Sequence, residues 1–408
     1  MTCIEGWITK SLGNTCKITT GKRDVNEGDP DGIYPFFTCS RINTFSNSYS
    51  FDTNAILIAG NGEVGILHRY DGKFEAYQRT YVLDSFSDDI DYIFQYISAY
   101  LKQSLLRSHV GSTIPFIKLG DLTDFPLEMP FLRSEQAKIA GILSTLDRAI
   151  EQTEDLIAKQ QRIKSGLMND LFTVGIDEHG NLRSFKTHKF EDTSLGFIPL
   201  EWQLKECAAI CLQIVVGIVI RPVQYYKPDG VPVLRSANVQ VNSIDPSNLV
   251  FMSQKDNKIL RKSQIHKGDL VTVRTGYPGT TSVVPDEFES ANCVDLVISR
   301  PDLTKVRSEF LSMWINSYQG LRQIQEGQGG LAQQHFNVRE MKKLLVKVPS
   351  LDEQDRILKV LVKQISIIDG LKENLDKFYL LKTALMQDLL TGNKKVTELL
   401  NKNELLNV

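Results

Sequence analysis

Apolar residues recur in alternating steps of four and three along residues 135–173, at Ile139, Leu143, Leu146, Ile150 and Ile157, with Thr153 in the intervening position. That spacing predicts a long helix with one apolar stripe turned to a partner helix. The stripe drifts near Gln160 and resumes through Ile163, Leu167 and Leu171. At 1.5 Å per residue the segment would span roughly 55 Å. Gly141 and Gly166 each cost about 1 kcal/mol against alanine, so packing has to hold the helix together. A second stripe runs through residues 353–391, at Ile357, Leu361, Ile368, Leu371, Leu375 and Phe378, then Leu381, Leu385 and Leu389, and Gly392 ends it.

The two stripes are copies. Residues 135–173 align with 353–391 without a gap at an offset of 218, with Glu135/Glu353, Gln136/Gln354, Leu143/Leu361, Lys164/Lys382, Met168/Met386 and Leu171/Leu389 among the identical pairs. SLDE at 350–353 has the spacing of a capping box. Two helices of one chain, each too long to bury its stripe alone, most simply pack on each other. If the halves are related by a pseudo-two-fold, the helices run antiparallel and the intervening blocks sit at opposite ends. The fold class expected is α+β.

The rest of the chain divides around the helices into a mixed block at 1–130, the first helix at 131–173, a polar linker at 174–196, a second mixed block at 197–348, the second helix at 349–392 and a charged tail at 393–408. Residues 54–59 and 75–83 read as strands and 91–106 as a helix. In the second block, 213–220, 231–234 and 270–274 read as strands and 309–323 as helical. Trp7 and Trp202 each stand at the start of a block, where they would seat it against its helix. The blocks share little sequence, so the helices carry the common task and the blocks are expected to act on different targets.

A chain of 408 residues with 42% hydrophobic and 24% charged residues is an ordinary multidomain globular composition. No apolar run is long enough to span a membrane and no signal peptide is evident, so a cytoplasmic protein is expected. Six scattered cysteines do not make a disulfide scaffold. Cys207 and Cys211 share a helix face at that spacing but lack the further ligands of a zinc site. GNGEVG at 60–65 fits GxGxxG, yet no helix follows to cradle a pyrophosphate. No P-loop and no Asn/Asp-Pro-Pro-Tyr/Phe motif occurs. A nuclease would have to be assembled from Asp31 and the Asp71-Lys73 turn.

Net charge is −2, so any nucleic-acid surface has to be local. Residues 221–274 carry nine Lys/Arg against four Asp. The candidates there are Arg221, Arg235, Ser236, Asn238, Lys258, Arg261, Lys262 and Arg274, with the side chains of Arg235, Ser236 and Asn238 suited to base edges and those of Lys258, Arg261 and Lys262 to phosphates. Residues 8–80 balance eight basic against eight acidic residues. Their candidates are short clusters: Ser40, Arg41 and Asn43; Asn61; His68 and Arg69; Gln78, Arg79 and Thr80; and, further on, Lys118.

These features resemble the specificity subunit of a type I restriction–modification system over nearly the whole chain. The resemblance rests on PFLRSEQ at 130–136 and PSLDEQ at 349–354, KxxLMxDL at 164–171 and 382–389, and GFIPLEW at 196–202. YPFFTCS at 34–40 and GQGGLAQQHFN at 327–337 resemble the family's recognition domains. The first half lacks the Ile-Pro before Trp7 and a clear capping box. The resemblance implies two mixed α/β target-recognition domains separated by two long helices packed as an antiparallel coiled coil. Each domain would read half of a bipartite, asymmetric target in double-stranded DNA, and the helices would fix the spacer. It implies no catalysis and no cofactor in this chain, and no membrane. Two modification subunits would bring S-adenosylmethionine and methylate adenine, and restriction subunits would bring ATP- and magnesium-dependent translocation and cleavage. The rival readings are a self-contained nuclease or methyltransferase and a protein-binding scaffold.

Overall fold

Two helices of 41 and 39 residues, Arg133–Thr173 and Leu351–Leu389, carry the two stripes. They belong to a computed structural model that describes residues 6–108, 116–326 and 335–399. Cys3, Glu5, His109, Gly111, residues 327–334 of the glutamine-rich loop and the tail from 400 lie outside the described residues. The chain forms two compact units, residues 1–156 with 371–408, and residues 157–370, so each long helix contributes one half to each.

The first unit is built on a six-stranded sheet. Its order is Lys17–Thr20, Thr80–Asp84, Phe51–Ala59, Leu67–Ala76, Tyr34–Phe37 and Thr44–Ser46. The central strand explains itself by period two. Ile56 and Ile58 pack under helix Ile90–Ser108 with Tyr92, Ile93 and Ile97, while Ala55 and Leu57 join Phe37 and Phe74 on the other face. Ile139 and Leu143 enter the first of these clusters together with Leu389, Leu390 and Val396. The start of one long helix therefore lies beside the end of the other. Lys382 bonds Asp147, and Tyr379 donates to Glu154 at 2.6 Å, so the pairing is antiparallel.

The second unit holds two four-stranded sheets. One runs Cys211–Val216, Leu296–Pro301, Leu270–Val273, Thr281–Val283, and the other Tyr226–Lys227, Val250–Met252, Val231–Leu234, Asn292–Cys293. Its core places Phe172 edge-on against Phe310 and Trp314, at 5.4 and 5.5 Å between ring centres. Leu171 and Phe172 share that core with Ile357 and Leu361, again antiparallel. Gln364 donates to the Gln160 side chain at 2.8 Å, so the drift in the stripe is a bonded polar pair.

The repeat extends beyond the helices. Gln136 accepts from Asp89 N at 2.9 Å and donates to Pro130 O at 2.8 Å. Gln354 accepts from Arg307 N at 2.7 Å and donates to Pro349 O at 3.0 Å. Each amide thus fastens its long helix to the backbone just before the helix of its own block, Ile90–Ser108 or Ser308–Ile315. Inside the blocks, strand Tyr34–Phe37 lies parallel to Leu67–Ala76, and Val231–Leu234 lies parallel to Asn292–Cys293. A Cβ on Gly21 would stand 1.9 Å from Ala76 O, and one on Gly217 2.6 Å from Cys293 O, so both glycines admit the same close backbone approach. Trp7–Ser11 pairs with Pro126–Pro130, and Gln203–Glu206 with Leu345–Val348, which closes each block at its base. The blocks are unlike in sequence and alike in backbone plan.

Four details depart from the sequence reading. Ile163 and Leu381 are 39% and 48% exposed. A straight helix drifts about 20° per heptad against a 3.5-residue stripe, which carries such positions out of the seam. Ser350 Oγ accepts from Glu353 N at 3.3 Å, but the Glu353 carboxylate does not close the capping box; Ile176 N, Arg183 and Trp202 hold it instead. The polar stretch after the first long helix is structured, with Ile176 buried and a hairpin of Phe190–Thr193 and Gly196–Pro199. Cys207 lies in the short helix Cys207–Ile210 while Cys211 begins a strand, and burial pushes the Cys211 thiol up to about 12.

Candidate nucleic-acid interface

In the first unit the candidates converge on the turn at residues 60–65, where the strand-turn-strand geometry replaces any nucleotide-binding helix. Gly65 N bonds Ala59 O at 2.9 Å, and Gly60 N bonds Arg79 O at 2.9 Å. Cys39 Sγ donates to Arg79 O at 3.4 Å, and His68 Nε2 lies 3.2 Å from Ser40 O. Asn61 bridges to Phe116, next to Ile117 and Lys118. The turn therefore gathers Ser40, Arg41, Asn61, His68, Arg79 and Lys118, which are far apart in sequence. Arg41, Glu63, Gly65, His68 and Lys102 line one open cleft of about 860 Å³.

These side chains are not equally available. Arg41 reaches Glu63 at 3.2 Å, both exposed. Arg69 is held by Asp91 at 2.9 Å and by Asn54, so it braces the sheet. Gln78 donates to Asp24 at 3.4 Å and Asn43 to Thr44 O at 3.3 Å. Thr80 is buried beside Cys39. Arg79 and Lys118 are exposed and carry no ion pair among the described residues.

In the second unit the candidates form two groups. Arg274 is held by Asp295 and by Phe336 O, and Arg235 by Asn248 O. Asn238 is buried, with its amide donating to Asp245 O at 3.1 Å and Ser247 O at 2.9 Å. Ser236 is half-buried in the short turn Ser236–Asn238. The other group is open. Arg261 and Lys262 line a cleft of about 440 Å³ with Ile218, Val219, Ile220 and Gln224. Arg221 follows Ile220, and Lys258 lies in the preceding helix Gln254–Ile259. Arg221, Lys258, Arg261 and Lys262 are exposed, and none has an ion pair among the described residues.

Along the long helices Ile139, Leu143, Leu146, Ile150, Ile157, Ile357, Leu361 and Ile368 are buried, while Leu167, Leu371, Leu375 and Leu385 are half-buried. Sequence reasoning passed over the exposed apolar side chains that accompany the open cations. Ile42 beside Arg41 is 83% exposed, Ile220 beside Arg221 is 74% exposed, and Tyr277 is 85% exposed on the turn matching residues 60–65. The available signal was an apolar residue inside a turn-rich, basic stretch. Among the described residues no group of three His, Cys, Asp or Glu is placed to hold a metal ion, and no helix is long and apolar enough to cross a membrane.

Residues 4–160 match the family model described as the type I restriction modification DNA specificity domain. The type I restriction enzyme EcoDI specificity subunit of Escherichia coli is 37% identical over 195 residues, which are 48% of this chain and 42% of that protein. The match thus spans less than half of that relative's length. The MjaVIII specificity subunit of Methanocaldococcus jannaschii is 24% identical over 97% of this chain and 94% of its own. Among solved structures, the S subunit of the M. genitalium type I restriction–modification system superposes with a TM-score of 0.62 at 16% identity, covering 94% of this chain and 96% of that one. A chain solved in a study of complex assembly and conformational transition of the type I system gives a TM-score of 0.56, also at 16% identity, over 96% of this chain and 99% of its own.

Proposed function

We propose that the chain is a type I restriction–modification specificity subunit, a reading supported by the family match over residues 4–160, and that its two blocks each read one half of a split DNA target. The observation that carries this is the pair of open cation sets on one repeated backbone plan: Arg79 and Lys118 in one block, Arg221, Lys258, Arg261 and Lys262 in the other. Cations without internal partners are free to neutralise phosphates, which sets register on the duplex. Arg41 and His68 in the cleft of the first block, Ser40 beside His68, and Gln224 in the cleft of the second are the groups for base edges. Because the two sets differ, the target is asymmetric.

The long helices hold the half-sites at a fixed separation and dock two modification subunits. Chemistry is delegated to partners. The modification subunits supply S-adenosylmethionine and flip the adenine they methylate; restriction subunits supply ATP-driven translocation and magnesium-dependent cleavage. This chain supplies affinity and sequence choice and no reacting group.

The test is binding of a random duplex library by the chain assembled with its modification subunits. Enrichment of two short motifs at one constant spacing is expected, with affinity falling steeply with salt. A self-contained enzyme would methylate or cleave DNA without partners, and a protein scaffold would enrich nothing. Inserting one helical turn, about 5.4 Å, into each long helix should lengthen the preferred spacer by about one or two base pairs; an unchanged spacer would sink the ruler.

A further inference from the structure

We propose that the loop at residues 218–224 inserts Ile220, supported by Val223, between base pairs of the half-site read by the second block. The proposal rests on the DNA reading given above and deepens it, since it assigns a deforming element to one block only.

Exposure is the first ground. Ile220 and Val223 are 74% and 71% exposed, and Val219 is 49% exposed, so three branched apolar side chains project from one short loop. Stiffness is the second. Arg221 holds a left-handed backbone, φ 43°, directly before Pro222, a conformation that bulky residues adopt only under constraint. Pro222 opens the short turn Pro222–Tyr225, and Gln224 N closes it on Arg221 O at 3.2 Å. Ile and Val have few side-chain rotamers to lose. The loop is backed by Tyr225 and Leu260, which pack against the cluster of Ile218, Val233, Met252 and Val294. A wedge has to be stiff, because a yielding loop would fold aside before bases unstacked.

Charge identifies the occupant. Arg221 sits between the two wedge residues, and Arg261 and Lys262 line the same cleft, all without ion pairs among the described residues. Apolar tips ringed by unpaired cations match a duplex, whose phosphates flank the step being opened. The corresponding loop of the first unit, after Gly21, is built differently. Arg23 pairs with Glu27 at 2.6 Å, and Asp24 N bonds Glu27 at 2.7 Å, so that loop closes its charges on itself.

The experiment uses the full chain assembled with its modification subunits. The probe is the selected duplex carrying 2-aminopurine at successive steps of the second half-site, away from the methylated adenine. Binding should brighten one step several-fold. The Ile220→Ala/Val223→Ala double variant should abolish the signal, weaken binding by about tenfold and leave the salt dependence unchanged. Ile220→Leu should restore the signal. Arg221→Ala should instead lower the salt slope by about one. If no step brightens, or the double variant brightens like the parent, the wedge is overturned while selective binding keeps the DNA reading intact. If the parent shows no selective binding, both fall. If the double variant no longer assembles with modification subunits by light scattering, the loop is a protein contact and the proposal is overturned.

Discussion

Glu135 and Glu353 occupy one position of the repeat but do different work. Glu353 is buried and receives Ile176 N, Arg183 and the Trp202 indole, each at 3.0 Å at one of its oxygens. Among the described residues the Glu135 carboxylate accepts only from the Thr397 hydroxyl, at 2.9 Å. The adjacent glutamines, by contrast, make two matching bonds in both units, and differ only in a third, to the Asp88 carboxylate in one and to Lys305 O in the other. The matching bonds go to backbone of the glutamine's own block, which the repeat reproduces. The glutamates bind the segment that follows the other long helix, and those segments differ: residues 174–183 bring an arginine and a buried isoleucine, while residues 392–399 bring a threonine.

The largest break of this comparison is Glu353→Ala. It leaves Arg183 buried without its carboxylate and should cost about 3–5 kcal/mol in urea unfolding followed by tryptophan fluorescence. Lys347 sharpens it next. This buried lysine lies 218 residues after the buried Met129, and among the described residues its ammonium donates only to Phe197 O, at 3.3 Å. Burial lowers its pKa to about 8. The unfolded chain therefore binds more protons between about pH 8 and 10.4, so the stability this group allows is full above about pH 10.4 and is lost as pH falls through 8. Lys347→Met should flatten that dependence and stabilise the protein at pH 7 by up to about 3 kcal/mol; an unchanged pH profile would refute the assignment.

Gln136→Ala and Gln354→Ala should each cost about 1–3 kcal/mol, and the two values should agree, because each leaves equivalent buried backbone groups unpaired. Unequal losses would show that the latch is not truly repeated. The smallest effect belongs to Glu135→Ala, about 1 kcal/mol, the worth of one hydrogen bond. A loss as large as that of Glu353→Ala would erase the contrast.

The long helices were legible because a stripe of Leu and Ile at helical spacing has few other meanings. The repeat inside the blocks was not legible, since Gly21 and Gly217 preserve a backbone approach while the residues on either side of each differ. Ile176 was hidden in a polar stretch because one anchor makes no period. The candidate interface was half legible. Basic residues could be counted, but Arg274 and Arg221 look alike in sequence. Only folding brings Asp295 to Arg274 and leaves Arg221 open. Ile220 ends the run 213–220 that reads as a strand; the strand stops at Val216, and the fold leaves Ile220 and Val223 exposed.

The paired strands at the base of each block have a further consequence. Trp7–Ser11 beside Pro126–Pro130, and Gln203–Glu206 beside Leu345–Val348, bring the chain into and out of a block at one strand spacing, about 4.8 Å. Everything between those strands hangs as a cassette from two neighbouring threads. Gln136 and Gln354 grip it through a backbone N–H just before a helix, a group that almost any helix start offers. The joint is indifferent to the side chains it carries. A block exchanged for another with the same base would leave the paired strands and the two glutamine bonds in place; on the reading proposed above, such an exchange changes one half-target and not the spacing.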